Sequence, residues 1–338
     1  MPAKVVLAPV RRKLIMSQLY PLLLKPEFYE RVWGSRDLRP IYPQVVSHEP
    51  IGEAWVAGDE CRIANGPYTG QTLGDLCKQH GVALIGDACA RQDRFPLLIK
   101  FLFPRDRMSV QVHPDDAGAQ ALGFACGKTE CWYVMRSIAG AKVGLGLRPG
   151  VTRQEFEAAI AENRAEDLLN WLDLRTGDMF YVDAGTVHAI GPNSILIETQ
   201  QNCDITYRLY DYGRPRQLHV REGLIAMRET TGAGRVPRQS RDGHDILIAA
   251  PSFVVEEFSL HQHQTLSGRP ERSAQVLVAS EGVGVVEWEG SPVTLHCGEA
   301  VVIPASLAAY TLRPQWTMKL LRMAVPAEQL PQPAAVLA

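Results

Sequence analysis

Residues 177–191 read GDMFYVDAGTVHAIG. A Gly-acid pair opens the run, four apolar-rich residues follow, an Ala-Gly turn interrupts, and a second strand starts at once. Strong β formers between glycine punctuators describe short strands joined by tight turns. The same grammar returns in CGEAVVIPASLAAYTL at 297–312, which marks a weak internal repeat. A chain that writes this unit twice is expected to build two small barrels.

Working outward, 96–113 (PLLIKFLFPRDRMSVQVH) reads as two apolar strands around a polar turn at Pro104–Arg107. Residues 130–147 (ECWYVMRSIAGAKVGLGL) repeat the theme around Ala139-Gly140. Helix signals are fewer. The clearest covers Thr152 to Leu172, where Thr152 and Glu155 form a capping box and Phe156, Ile160, Leu168, Leu169 and Leu172 supply an apolar face. Short helices are predicted at 72–80, 115–122 and 218–230. Residues 231–245 (TGAGRVPRQSRDGHD) turn polar and are read as a linker; the segments beyond alternate like the strands of a second barrel. The predicted fold is mainly β, tandem cupin-like (jelly-roll) barrels with a few helices. The first, 17–230, carries helical inserts and a metal site; the second, 246–330, is metal-free.

Composition agrees with this class. Of 338 residues, 46% are hydrophobic and 21% charged, enough to bury a core and too apolar for disorder. The 28 Gly and 23 Pro suit many turns better than a helical bundle. Lys plus Arg number 35 against 37 for Asp plus Glu, so nothing favours a duplex or an anionic membrane, and neither is expected as a partner. No run approaches the roughly 18 apolar residues of a membrane span. Seven scattered cysteines without a CxxC pair argue for a reducing, cytoplasmic setting. Met16, after the Arg11-Arg12 pair, stands as a candidate start. The sequence carries no signal of oligomeric state.

Three stretches carry chemistry. In SVQVHP (109–114), Gln111 and His113 share a strand face two residues apart, as two ligands of one metal must. In Lys128-Thr129-Glu130, Lys128 and Glu130 share a face if the segment is extended. His188 follows the Ala184-Gly185 turn. Gln111, His113, Glu130 and His188 make a mixed N/O set suited to zinc or another divalent first-row ion. Alone, each histidine fits a hydrogen-bonded core residue better than a ligand, and Glu130 fits a surface carboxylate; the case needs the combination, which periodicity does not supply. His261 and His263 have strand-like spacing but no acidic or Cys partner nearby, so a solvated edge strand is the better reading. Asp115-Asp116 reads as a helix cap.

The motifs in order resemble one family. SVQVHPDD (109–116), GKTECWYV (127–134), GLRPGVT (146–152), GDMFYVDAGTVHAIG (177–191) and ETQQNCDITYRLYDYGR (198–214), with RVWGSRDL (31–38) and IGEAW (51–55), are similar to those of the type I mannose-6-phosphate isomerases (phosphomannose isomerases) in their shorter bacterial form. The resemblance is close over roughly residues 25–225 and holds in outline over the carboxy-terminal third. It implies a double-barrel enzyme that interconverts mannose 6-phosphate and fructose 6-phosphate using one zinc ion, held by Gln111, His113, Glu130 and His188. It places the family's active-site arginine on Arg208 and a pocket carboxylate on Glu198. Lys100 and Lys128 fall on lysines near the metal, and Arg214 where relatives carry a basic residue. Cys203 stands where relatives usually have Ser.

Moving a proton between C1 and C2 needs stabilisation of an enediolate and a titratable shuttle. Arg208, permanently cationic, is an anion clamp and a poor base. Glu198, Lys128 and Lys100 are all candidates for the shuttle. Ser109, with Lys100 or Arg214, is the expected phosphate contact. The competing readings are a non-catalytic, sugar-binding double cupin and an isomerase of a different sugar or sugar phosphate.

Overall fold

The computed structural model describes residues 18–89, 93–270 and 272–328, with Pro333 and Ala335. The Arg11-Arg12 pair and Met16 lie outside the described residues. The strand-rich reading holds: three sheets dominate, and every strand pairing among the described residues is antiparallel.

Two sheets face each other to make the first barrel. A seven-stranded sheet has the order Gly234–Val236, Met179–Val182, Glu130–Ser137, Ser194–Gln201, Leu97–Leu102, Ile51–Ala57, Glu27–Ser35. A five-stranded sheet has the order Tyr207–Tyr210, Val110–Val112, His188–Ile190, Lys142–Leu147, Leu169–Asp173. The runs 96–113 and 130–147 thus place their two strands in different sheets, and their turns are the barrel's corners. Side chains alternate as the pleat requires. Trp132, Val134, Leu102 and Leu196 point inward against Val143, Leu145, Leu172 and Ile190 of the facing sheet. Cys131, Tyr133, Ile99 and Phe101 point the other way, into a core shared with Val255, Val276, Val302 and Leu321.

Those last residues belong to a ten-stranded carboxy-terminal sheet, which closes on its own core of Phe258, Leu277, Leu295, Val301 and Leu320. Its last strand, Tyr310–Ala324, pairs with Gln275–Glu287 and Val254–Leu260. The first described strand, Leu22–Lys25, joins this sheet by pairing with Ala300–Ile303. Residues 231–245 are more ordered than a linker. Gly234–Val236 adds an edge strand to the first barrel, and Gln239–Arg241 forms a hairpin with His244–Ala249.

The capping box forms as predicted, with Glu155 accepting from the Thr152 backbone N–H at 2.8 Å. The helix it starts ends at Ala161, well short of Leu172. Asn163, with φ +58°, breaks it in the left-handed region; Leu168 then closes a 3₁₀ turn, and Leu169 and Leu172 lie on a strand. Helices Leu73–His80, Asp116–Gln120 and Val220–Ala226 fall where predicted, and Asp115 caps the second by accepting from Gly118 N. His261 and His263 lie exposed outside any strand, with His263 at φ +73°.

One buried polar cluster ties the carboxy-terminal sheet to the first barrel. Tyr133 Oη donates to Glu257 Oε1 at 2.5 Å, and Arg238 bridges Glu257 to Asp245. Glu257 is 5% exposed, so removing it leaves the Tyr133 phenol without its acceptor and Arg238 with Asp245 and the Gly177 carbonyl. Arg238 keeps about a third of its side chain in water, which lowers the penalty. Glu257→Ala is expected to destabilise the fold by about 2 kcal/mol in urea unfolding, with the Tyr133→Phe variant losing less.

Candidate metal centre and its pocket

The site sits between the two sheets of the first barrel, toward one end. The five-stranded sheet contributes Gln111, which lies directly across from His188 and from Arg208, so the three side chains share a face. His113 follows its strand by one residue and keeps the alternation of Gln111. The seven-stranded sheet contributes Glu130, Lys100 and Glu198, with Glu198 cross-strand from Lys100. The turn before His188 requires Gly185, whose φ is +89° and whose missing Cβ leaves room for the Arg228 side chain; its N–H donates to His113 O at 2.9 Å. One hydrogen bond thus ties the two histidine-bearing segments together.

His113, Glu130 and His188 are each 1% exposed, and their ligating atoms lie within 4.8 Å of one another. His113 Nδ1 donates to Ile205 O (2.7 Å) and His188 Nδ1 donates to Thr186 O (2.9 Å). A carbonyl accepts only from a protonated nitrogen, so both Nε2 atoms carry lone pairs, the tautomer of a metal-ligating histidine. Burial, together with the nearby Lys128 charge, pushes both imidazoles below their ordinary range, His188 to about 4. Glu130 Oε1 lies 3.4 Å from His188 Nε2, and Oε2 lies 3.6 Å from His113 Nε2 with no hydrogen-bond partner of its own. Gln111 Nε2 stands 3.2 Å from His188 Nε2, while Ser109 Oγ donates to Gln111 Oε1 at 3.1 Å. The imidazole lone pairs and the Glu130 carboxylate converge in a dry site, with the Lys128 ammonium on one side of them. Two neutral imidazoles with a carboxylate fit a divalent ion, and Gln111 would join them through its Oε1, which here accepts from Ser109.

A charged wall stands beside this centre. Lys128 Nζ is 3.2 Å from Glu130, 3.3 Å from His113 Nε2 and 3.9 Å from Glu198. Lys100 Nζ is 3.0 Å from Asp204, 3.6 Å from Glu198 and 3.8 Å from Glu53. Burial alone would lower both lysines, but Glu53, Asp204 and Glu198 around Lys100, and Glu130 and Glu198 around Lys128, hold both above the ordinary lysine range. Glu198 goes the other way. Burial, then the Glu130 charge, raises its carboxyl to about 7 despite the two lysines.

Glu53 and Asp204 have no place in the sequence-based site. Glu53 receives Arg31 through two nitrogens (2.9 and 3.1 Å) and Trp55 Nε1 (2.8 Å). Its alternation with Trp55 inside IGEAW was the available signal. Arg208 Nη1 donates to Gln217 O, and its Nε is buried without a partner. Arg214 is braced by Asp211 (2.7 Å) and the Arg107 carbonyl, and its Nη1 makes no hydrogen bond. Cys131 points away from Glu130 into the shared core.

The family profile described as "Phosphomannose isomerase type I, catalytic domain" matches residues 22–130. Mannose-6-phosphate isomerase ManA of Bacillus subtilis is 38% identical over 317 residues, covering 86% of this chain and 95% of that protein. The mannose-6-phosphate isomerase of Streptococcus mutans is 31% identical over 305 residues, covering 86% and 94%. The crystal structure of the mannose 6-phosphate isomerase from Bacillus subtilis superposes with a TM-score of 0.81 at 30% identity, covering 90% of this chain and 99% of that one. With relatives this similar end to end, and a barrel whose ordered motifs meet at one buried donor set, the chain is an enzyme of the type I phosphomannose isomerase family.

Proposed function

We propose that the protein interconverts mannose 6-phosphate and fructose 6-phosphate, using a divalent ion, zinc by its donor set, held by Gln111, His113, Glu130 and His188. The observation that carries this reading is the convergence of two lone-pair-bearing imidazoles on the buried Glu130 carboxylate, beside a carboxyl group that burial raises to about 7. When bound, such an ion polarises oxygens as a Lewis acid. Lys128, 3.3 Å from His113 Nε2, keeps its charge at neutral pH and steadies negative charge developing at the sugar oxygens.

Of the three candidate shuttles, Glu198 is the one whose pKa suits the task. Lys100 and Lys128 stay protonated far above neutrality, whereas Glu198 can accept and return a proton near pH 7. We assign Glu198 to the C1–C2 proton, through an enediolate, and Arg208 to the anion that forms. Lys100 and Ser109 line the sugar end, and Arg214 serves the phosphate with its Nη1, which makes no hydrogen bond and lies 3.7 Å from Asp106. In this assignment the first barrel (17–230) does the chemistry, and the second (246–330) backs the sheet that carries Glu130 and Glu198.

A coupled assay for fructose 6-phosphate, run before and after chelation and again after zinc is restored, tests the reading. Activity should vanish and return; undiminished activity in metal-free protein rules the metal out, and silence in zinc-loaded protein favours a sugar-binding role. The pH profile tests the shuttle. A base with a raised pKa is protonated, and idle, below that value, so kcat/KM should rise with pH through about 7. Glu198→Gln should lose about two to four orders of magnitude and flatten that limb. A limb unchanged in the variant would remove Glu198 from the role.

A further inference from the structure

The end of the first barrel remote from the metal centre holds a separate cleft. Glu130 begins its strand and Arg136 nearly ends it; six residues at about 3.3 Å each put them roughly 20 Å apart. The neighbouring strand agrees, since Gln200 pairs with Glu130 while Ser194 pairs with Ser137. At this far end a cleft of about 610 Å³ opens between the segment 34–50 and the corners after Leu102, Arg136 and Asn193. Its walls are preformed by backbone bonds: Arg105 N to Trp33 O (2.9 Å), Asn193 N to Pro104 O (3.2 Å) and Ile138 N to Asn193 O (3.1 Å).

Three arginines line this cleft, Arg36, Arg105 and Arg136. Among the described residues none of the three has a carboxylate partner, and only Arg36 makes a side-chain hydrogen bond, from Nε to His48 O (2.8 Å). The one acid in the lining, Asp37, is already engaged by Arg39 through bonds of 2.8 and 2.6 Å. Ser194 also lines the cleft; it is 8% exposed, and its Oγ is buried with no partner. Phe103, Ile138 and Ile195 give the wall an apolar part, beside Ser35 and Asn193.

All three arginines are exposed, so water screens their charges, and their guanidiniums keep donors open to an anion in the cleft. Their forked donors match phosphate oxygens two at a time. The charge calls for more than one phosphate group, and the apolar wall and the volume leave room for an organic body. We propose that this cleft binds a small organic diphosphate, at a site separate from the metal centre.

The probes are ADP and inorganic pyrophosphate, titrated calorimetrically into the zinc-loaded protein. ADP should bind saturably, one per chain, more weakly as salt rises. Arg105→Ala/Arg136→Ala should weaken it by about tenfold or more while melting and turning over mannose 6-phosphate like the wild type. Arg208→Ala should leave the binding unchanged. Ile138→Glu, which places an acid in the cleft at an exposed position, should abolish it. Pyrophosphate should bind more weakly than ADP, and equal affinity overturns the role given to the apolar wall. Heat that persists in the double-arginine variant, as metal stripping would give, overturns the proposal. So does loss of binding in Arg208→Ala, or absence of saturation by either probe at millimolar concentration.

Discussion

His188→Ala is expected to lose both its bound metal and its turnover, with kcat/KM falling by about three orders of magnitude or more. The size follows from what the ion supplies, several kcal/mol of charge stabilisation, at 1.36 kcal/mol per decade of rate. The imidazole is one of two buried lone-pair nitrogens in the set, and neither a water nor Gln111 can replace its fixed orientation from Thr186 O. Alanine also opens a void beside Trp132, whose ring lies 5.4 Å from that of His188, so His188→Gln, which keeps most of the bulk, belongs in the same experiment. Metal content by elemental analysis and rate by coupled assay should fall together in both variants. A variant that keeps its metal and a wild-type rate would take His188 out of the centre.

Arg208→Ala carries the second large effect, and its signature is the reverse. Turnover should drop by about 10² to 10³, the cost of removing one preorganised donor to a developing anion, while metal content stays whole. Arg208 lies cross-strand from Gln111, and its buried Nε has no partner, so the guanidinium is held at the site with donors unspent. Burial, with Arg216 and Arg214 nearby, lowers its pKa, yet an arginine this perturbed still carries its charge at every working pH. Arg208→Lys should fall between wild type and alanine, because it restores charge without the fork. A wild-type rate in Arg208→Ala would exclude it from the chemistry.

Local signals made much of this legible. Period-two alternation put Gln111 on one side and Val110 and Val112 on the other, and the structure buries both valines in a separate core behind the sheet. The capping box fixed where the helix at Arg153 begins. Its end was misjudged because Leu168, Leu169 and Leu172 continue a helical spacing across a break that a single left-handed Asn163 imposes. What sequence reading missed is long-range. Lys100 meets Asp204 across 104 residues, and Arg31 meets Glu53 across 22, so no window along the chain contains either pair. The pairing of Leu22–Lys25 with Ala300–Ile303 is hidden for the same reason.

That pairing has a consequence for how the molecule is made. On the ribosome, Leu22–Lys25 emerges about 275 residues before its partner Ala300–Ile303. Through that interval an apolar strand waits with an open hydrogen-bonding edge, a ready template for a neighbouring chain. The closure joins points about 275 residues apart, a connection that is slow by its topology. The carboxy-terminal barrel therefore cannot finish as an independent unit: it must recapture a strand made long before its own.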